Sequence, residues 1–364
     1  MLKNNLSLAL LVCLLILYCG SGEDTYTVEV IDGTKYIKNI SAAWGDESKI
    51  RLEHVRTIGE IDGENEALML YYPSDIYIDS NGLIYIVDAG NYKVKVFNED
   101  LNLIRSFGEQ GEGPGEFRSP SEIMIKDNQS IYVRDIQKIE KFTINGDYIE
   151  TVRPIVQSAT NIYLPEYDKY LLRYSFYTFP GMDHKKLAAL ADTDGNTILE
   201  IGEKIYTGDD INKMRINEYD ITISPDSYIY FTLKYKNIIE KYSMTGQFIY
   251  RTERPLNYPV EDERQYSYQG QELSGPSAIN RGFGFDSKGR VWMMTNKKQF
   301  EDGFQIPDFI YFHVFNSEGI FLGEVEHPPC EGVYTRVLRI FGDRLFLIDM
   351  REMSVIEEYK IIEK

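Results

Sequence analysis

The sequence predicts an all-β fold in which repeated four-stranded antiparallel units close into a ring. Three observations predict it. Short β-type runs bounded by Gly, Asn, Asp and Ser recur from residue 72 to the end of the 364-residue chain. The run Ile84-Tyr85-Ile86-Val87-Asp88 returns as Ile131-Tyr132-Val133-Arg134-Asp135, which sets Tyr85 and Tyr132 47 residues apart (132 − 85). An orphan run near residue 50 precedes the first unit, and the last unit ends one run short. One such unit cannot bury both of its faces alone, so units of this kind stack on each other.

Taken in order, the chain first offers a hairpin, residues 25–31 turning at Asp32-Gly33 into residues 35–37, and then the orphan run at 50–59. The first full unit has runs at 73–79, 83–88, 93–97 and 101–108. The second has them at 120–127, 130–135, 139–142 and 147–152, with an Asn145-Gly146 turn. A degenerate third unit uses 161–164, 170–174, 187–191 and 197–202, with an insertion at 175–186. A clearer fourth uses 220–224, 228–232, 238–242 and 247–252. Residues 254–280 form the longest stretch expected to be irregular, and connections of that length in a compact domain are functional or disordered. The fifth unit (282–286, 290–294, 309–315, 320–325) and the sixth (335–341, 344–349, 354–360) follow, and the orphan run supplies the sixth unit's missing strand. Sheet edges left open invite aggregation, so closing the ring protects them.

Over residues 72–153, including the linker Phe107-Gly108-Glu109-Gln110-Gly111-Glu112-Gly113-Pro114-Gly115-Glu116-Phe117, the pattern resembles NHL repeats. The resemblance implies a six-bladed β-propeller of four-stranded antiparallel blades, closed by an N-terminal strand completing the last blade. It carries no catalytic activity, because the repeat records architecture. Lys3 followed by the apolar run 6–17 fits an export signal. Tyr18-Cys19-Gly20 resembles a bacterial lipoprotein signal, with Tyr18 where such signals carry a small residue. That resemblance implies lipidation at Cys19, a membrane anchor through it, and delivery to the outer membrane. The expected organisation is a signal at 1–18, a tether and short hairpin at 19–49, and the propeller at 50–364. Of three cysteines, Cys13 leaves with the signal and Cys19 takes lipid, so Cys330 stands alone and no disulfide is expected. A net charge of −18 offers no cationic footprint for nucleic acid.

Motifs for chemistry are sparse. The linker 108–115 lacks the Lys-Ser/Thr pair of a phosphate loop and reads as a tight connection. Asp192, Asp194, Asn196 and Glu203 have calcium-loop spacing, but Thr197 replaces the glycine, so a hairpin turn is the expectation. His54, His184, His313 and His327 share no metal-ligand spacing, and no serine-nucleophile motif occurs. No catalytic residue, metal or cofactor is therefore expected. Aligning the units instead puts Asp88, Arg134 with Asp135, Arg173 with Tyr174, Lys234, Lys297, and Asp349 with Arg351 on one face, under the connections 175–186 and 254–280 with Tyr177, Tyr258, Tyr266 and Tyr268. Aromatic residues with arginine dominate contact surfaces, so these are the candidate ligand-binding residues. Capped turns and paired surface arginines are the competing explanation. The expectation is a non-catalytic binding or scaffolding module for a protein, peptide or glycan. A propeller lyase or hydrolase with a channel metal is the alternative.

Overall fold

A computed structural model describes residues 24–136, 138–153, 159–177, 185–256, 264–268, 271–275, 279–296, 310–327, 336–349 and 355–364. Six four-stranded antiparallel blades are present. Blade 1 is Pro73–Ile78, Ile84–Asp88, Lys93–Phe97 and Leu103–Phe107, and blade 2 is Glu122–Lys126, Ser130–Arg134, Ile139–Thr143 and Tyr148–Val152. Blade 3 is Ala159–Leu164, Lys169–Tyr174, Lys186–Ala191 and Thr197–Glu203, and blade 4 is Tyr219–Ile223, Tyr228–Leu233, Ile238–Ser243 and Phe248–Glu253. Blade 5 is Asn280–Phe285, Val291–Asn296, Ile310–Phe315 and Phe321–Glu326. Blade 6 takes Arg336–Phe341, Arg344–Asp349 and Ile356–Glu363 from the C-terminal end and Ile50–Ile58 from the N-terminal end. That last pairing is antiparallel and runs from Ile356 opposite Ile58 to Glu363 opposite Ile50, as the orphan run predicts.

First strands lie toward the axis, where those of blades 1 and 2, 4 and 5, 5 and 6, and 6 and 1 touch one another. Between blades lie separate apolar cores. Val87, Val96, Ile123, Ile131 and Phe142 join blades 1 and 2, and Ile84, Phe97, Phe346 and Ile356 join blades 1 and 6. Trp292, Phe312, Leu345 and Ile361 do the same for blades 5 and 6.

Hairpin turns repeat one device, a short polar side chain that accepts backbone N–H groups two and four residues on. Asp79 Oδ1 accepts from the N–H groups of Asn81 and Leu83 at 2.9 Å each, and Asp286 Oδ1 accepts from those of Lys288 and Arg290 at 3.0 Å each. Asp192 Oδ1 does so for Asp194 and Asn196 at 3.0 and 2.8 Å, while its Oδ2 accepts from Asn196 Nδ2 at 2.9 Å. The calcium-like spacing thus serves a turn. The linker after blade 1 also closes on itself: Phe117 N–H donates to Glu109 and Gly111 N–H to Phe117, with the Phe117 ring fully buried. At Gly108, φ is +89° and a Cβ would lie 2.3 Å from that ring, so only glycine fits.

Two features go beyond the sequence reading. The N-terminal hairpin, Tyr26–Ile31 and Thr34–Asn39, forms where expected and is built into the propeller. Its second strand runs parallel to Phe248–Glu253 and extends blade 4 to six strands. The chain then crosses to blade 5, where Ala43 and Trp44 N–H groups donate to Phe321 and Leu322 at 3.0 and 2.8 Å, before entering blade 6. Residues 26–58 are therefore a belt over the outer edges of blades 4, 5 and 6. The stretch 254–280, expected to be irregular, contains an antiparallel hairpin of Arg264–Tyr268 with Gln271–Gly275, and a short helix, Ile211–Met214, precedes blade 4. Alternation in Arg-Gln-Tyr-Ser-Tyr carries the strand signal, which the polar composition obscures.

Candidate functional site

The two mouths of the ring differ. At one, every connection within a blade is a turn of five residues or fewer, such as 79–83, 224–227 and 316–320. The other receives the blade-to-blade connections and those between second and third strands, including 108–121, 175–185, 204–218 and 254–279. The last residues of the second strands stand at this long-connection mouth. Backbone pairing sets Asp88 opposite Pro73, Arg134 opposite Glu122, Arg173 opposite Thr160, Tyr174 opposite Ala159, and Asp349 opposite Arg336. The register thus sets these second-strand ends at one level.

Their chemistry divides them. Asp88 is fully buried: Oδ1 accepts from Tyr71 N–H at 2.7 Å, and Oδ2 accepts from Asn91 Nδ2 at 2.8 Å and pairs with Lys95 Nζ at 2.9 Å. Asp135, 2% exposed, accepts from the N–H groups of Arg118 and Ser119 at 3.0 and 2.6 Å. Both carboxylates brace the connection entering their own blade. Arg134 and Arg173 instead face the inner strands, where both pair with Glu122 Oε1, at 3.2 and 3.8 Å. Tyr266 and Tyr268 lie on the 264–268 strand, and Asp349 ends the second strand of blade 6. Tyr258, Arg351, Cys19, Cys330 and His184 lie outside the described residues.

To the aligned positions the inner strands and their entries add Asp75, Glu122, Glu218 and Arg339. Arg339 of blade 6 donates to Asp75 Oδ1 of blade 1 at 2.7 Å, and Asp75 Oδ2 accepts from Ile123 N–H of blade 2 at 3.0 Å. Glu122 of blade 2 meets Arg173 of blade 3, whose guanidinium lies 5.7 Å over the Tyr219 ring of blade 4. Beside it, Glu218 binds Lys234 at 2.6 Å and Arg215 at 2.9 Å. A polar circuit thus runs through five of the six blades at one mouth. Glu122, Arg173 and Arg339 keep 24%, 31% and 35% of their side-chain exposure, so the circuit is wet.

Electrostatics separate its acids. Burial pushes the Asp75 carboxyl above its usual range, against the pull of Arg339. Burial also opposes ionisation of Glu122, but Arg134, Arg173 and Arg339 outweigh it and hold that carboxyl low. Asp220 is raised by burial, with Arg173 and Lys234 working against the rise and Arg339 acting from two blades away. Neighbouring strand positions of opposite charge, such as Glu122 and Arg134, could have signalled the set, but only closure of the ring brings Asp75 to Arg339, 264 residues on.

The histidines are dispersed. His54 pairs with Glu357 at 2.8 Å on the closing strand, and His327 lies against the rings of Phe312 and Tyr359. His313 is buried between blades 4 and 5. Its Nδ1 accepts from Arg254 at 2.8 Å and its Nε2–H reaches Glu324 at 3.2 Å, so burial and the Arg254 charge lower its pKa to about 4. Among the described residues, no group of three or more His, Cys, Asp or Glu side chains could hold a metal ion, and no helix is long and apolar enough to cross a membrane.

Fold and mouth together define a six-bladed propeller with one charged mouth. The chain belongs to the DUF5128 family, described as a 6-bladed beta-propeller, whose profile matches residues 65–252. Among solved structures it is similar to a Bacteroides fragilis protein described as exported, at 10% identity and TM-score 0.55, covering 88% of this chain and 96% of that one. A member of the duf4221 family from Bacteroides vulgatus is similar at 12% identity and TM-score 0.56, covering 87% and 99%. These likenesses are of fold. Virginiamycin B lyase from Staphylococcus aureus resembles it more loosely, at 13% identity and TM-score 0.46, over 86% and 100%. No curated protein matches the chain in sequence.

Proposed function

We propose that this chain is an exported, lipid-anchored propeller of NHL-like repeats that works as a non-catalytic binding module. It holds a protein, peptide or glycan at the long-connection mouth and meets the outer membrane through lipidated Cys19. The observation that carries this reading is the asymmetry of the ring. Ionised side chains from five blades converge at the one mouth that the long connections surround, whereas the other mouth is trimmed to tight turns. A wet entrance with convergent polar groups is where a propeller offers a ligand specific contacts. The apolar run 6–17 with Cys19 supports export and anchoring.

The test is capture from envelope extracts by the full chain, by Arg173→Gln, and by a variant in which 257–278 is replaced with a short linker. The replacement keeps Arg254 and Asn280, which are buried in the network between blades 4 and 5. Both variants are expected to lose the captured partner, and capture by both at the parental level would refute the reading. Cys19→Ser should move the chain from the membrane to the soluble fraction. Stoichiometric zinc or calcium in the purified chain would favour the propeller-enzyme alternative.

A further inference from the structure

The edge that the belt adds to blade 4 differs from the fourth strands of the blades. Tyr26–Ile31 is the outermost strand of that six-stranded sheet and, at about 4.8 Å per strand, stands roughly 10 Å beyond Phe248–Glu253. All six of its residues are exposed, and Tyr26, Val28 and Val30 keep 40%, 36% and 45% of their surface. Native sheets blunt such edges with proline, lysine or a bulge. In each of the six blades the fourth strand meets the third across a register shift, whereas the pairing of Tyr26–Ile31 with Thr34–Asn39 is regular from end to end. The strand reads Tyr-Thr-Val-Glu-Val-Ile, with no proline or lysine and one charge, Glu29.

Its backbone fixes which groups face outward. Ile40 N–H donates to the Thr25 carbonyl at 2.8 Å. Because an antiparallel ladder alternates, that bond turns the peptide groups of Thr27, Glu29 and Ile31 toward Thr34–Asn39 and those of Tyr26, Val28 and Val30 toward the free edge. The same three residues share a side-chain face with Ile37, which stands opposite Val28 and is buried in the core between blades 4 and 5.

We propose that Tyr26–Ile31 pairs antiparallel with the same strand of a second copy of this chain, about a twofold axis beside Val28. In that register Val28 meets Val28 and Tyr26 meets Val30, each pair exchanging both backbone bonds, while Glu29 stands opposite Thr27. The apolar side chains of the two copies then form one strip continuous with Ile37. Moving the axis to Glu29 would oppose the two carboxylates in a close, non-hydrogen-bonded pair, which is destabilising. The strand is therefore complementary to itself in one register. The twofold consumes both free edges, so assembly stops at two copies. This contact is on the rim and does not depend on what the long-connection mouth holds.

Sedimentation velocity of the full chain over a concentration series tests it. A pairing confined to one strand is small for an interface, so a reversible dimer is expected between about 1 and 200 µM. Val28→Lys and Val28→Glu each set like charges across the axis and should each weaken the dimer roughly tenfold or more. An equimolar mixture of the two variants should restore it, with opposite charges now paired. Val28→Pro, which removes an outward N–H only, should also give monomers. Because Val28 is exposed in the single chain, all three variants should keep the parental melting temperature in dilute solution. A parent that stays monomeric throughout the series would overturn the proposal, as would a dimer indifferent to every Val28 variant. Failure of the mixture to dimerise would overturn the Val28 axis.

Discussion

Buried Asp88 shows how one side chain can look functional in sequence and be architectural in the fold. Its carboxylate holds the Tyr71 backbone, Asn91 and Lys95 together where the chain enters blade 1. Asp88→Ala leaves the Lys95 ammonium buried with the Met69 carbonyl as its remaining hydrogen-bond acceptor among the described residues. Removing one member of a buried pair costs about 3–5 kcal/mol, so urea denaturation should show a loss of that order. His313 makes a pH prediction. Its folded pKa of about 4 lies below the unfolded value of 6.5, so its contribution is intact above pH 6.5 and is lost as pH falls through about 4. Stability should therefore decline between pH 6.5 and 4 by an amount on the order of 3 kcal/mol from this group, and His313→Gln should flatten that decline in melts across the range.

At the scale of elements, the N-terminal belt has the largest consequence. Ile50–Ile58 supplies the outer strand of blade 6, while residues 26–44 cover the edges of blades 4 and 5. A chain starting at Gly59 loses all of these pairings and leaves the edge of the last blade open, so it is expected to be insoluble or to lack a sharp melt. A chain starting at Glu47 keeps the closing strand and loses only the added edge cover, so it should stay soluble with a lower melting temperature. Trp44 packs against Gly323, where a Cβ would come within 2.7 Å of its ring. Gly323→Val should detach this part of the belt and shift Trp44 emission to the red, while the fully buried Trp292 reports that blade 5 is still packed.

For the whole molecule, six blades joined through apolar cores and one shared blade predict a single cooperative unfolding transition. Far-UV circular dichroism, which samples every blade, and tryptophan fluorescence, which samples blade 5 and the belt, should give coincident curves. Separate midpoints would show that the ring opens before it melts. Much of this architecture is legible in one dimension. Each blade is a local succession of β-type runs and turn residues, so Asp79, Asp192 and Asp286 announce their hairpins within four positions of themselves. The closing strand is legible too, as a run without a unit facing a unit without a run. The belt's docking was hidden, because the edge that Thr34–Asn39 joins lies more than two hundred residues later. The same holds for the mouth. Taken alone, the chain determines blade count, closure and the face that carries the long connections, because these depend on neighbours in sequence. Only the tertiary structure decides which charges meet. Asp75 with Arg339, and Arg173 with Glu122 and Tyr219, are partners across blades, and such pairings exist only once the ring has brought distant strands to a common axis.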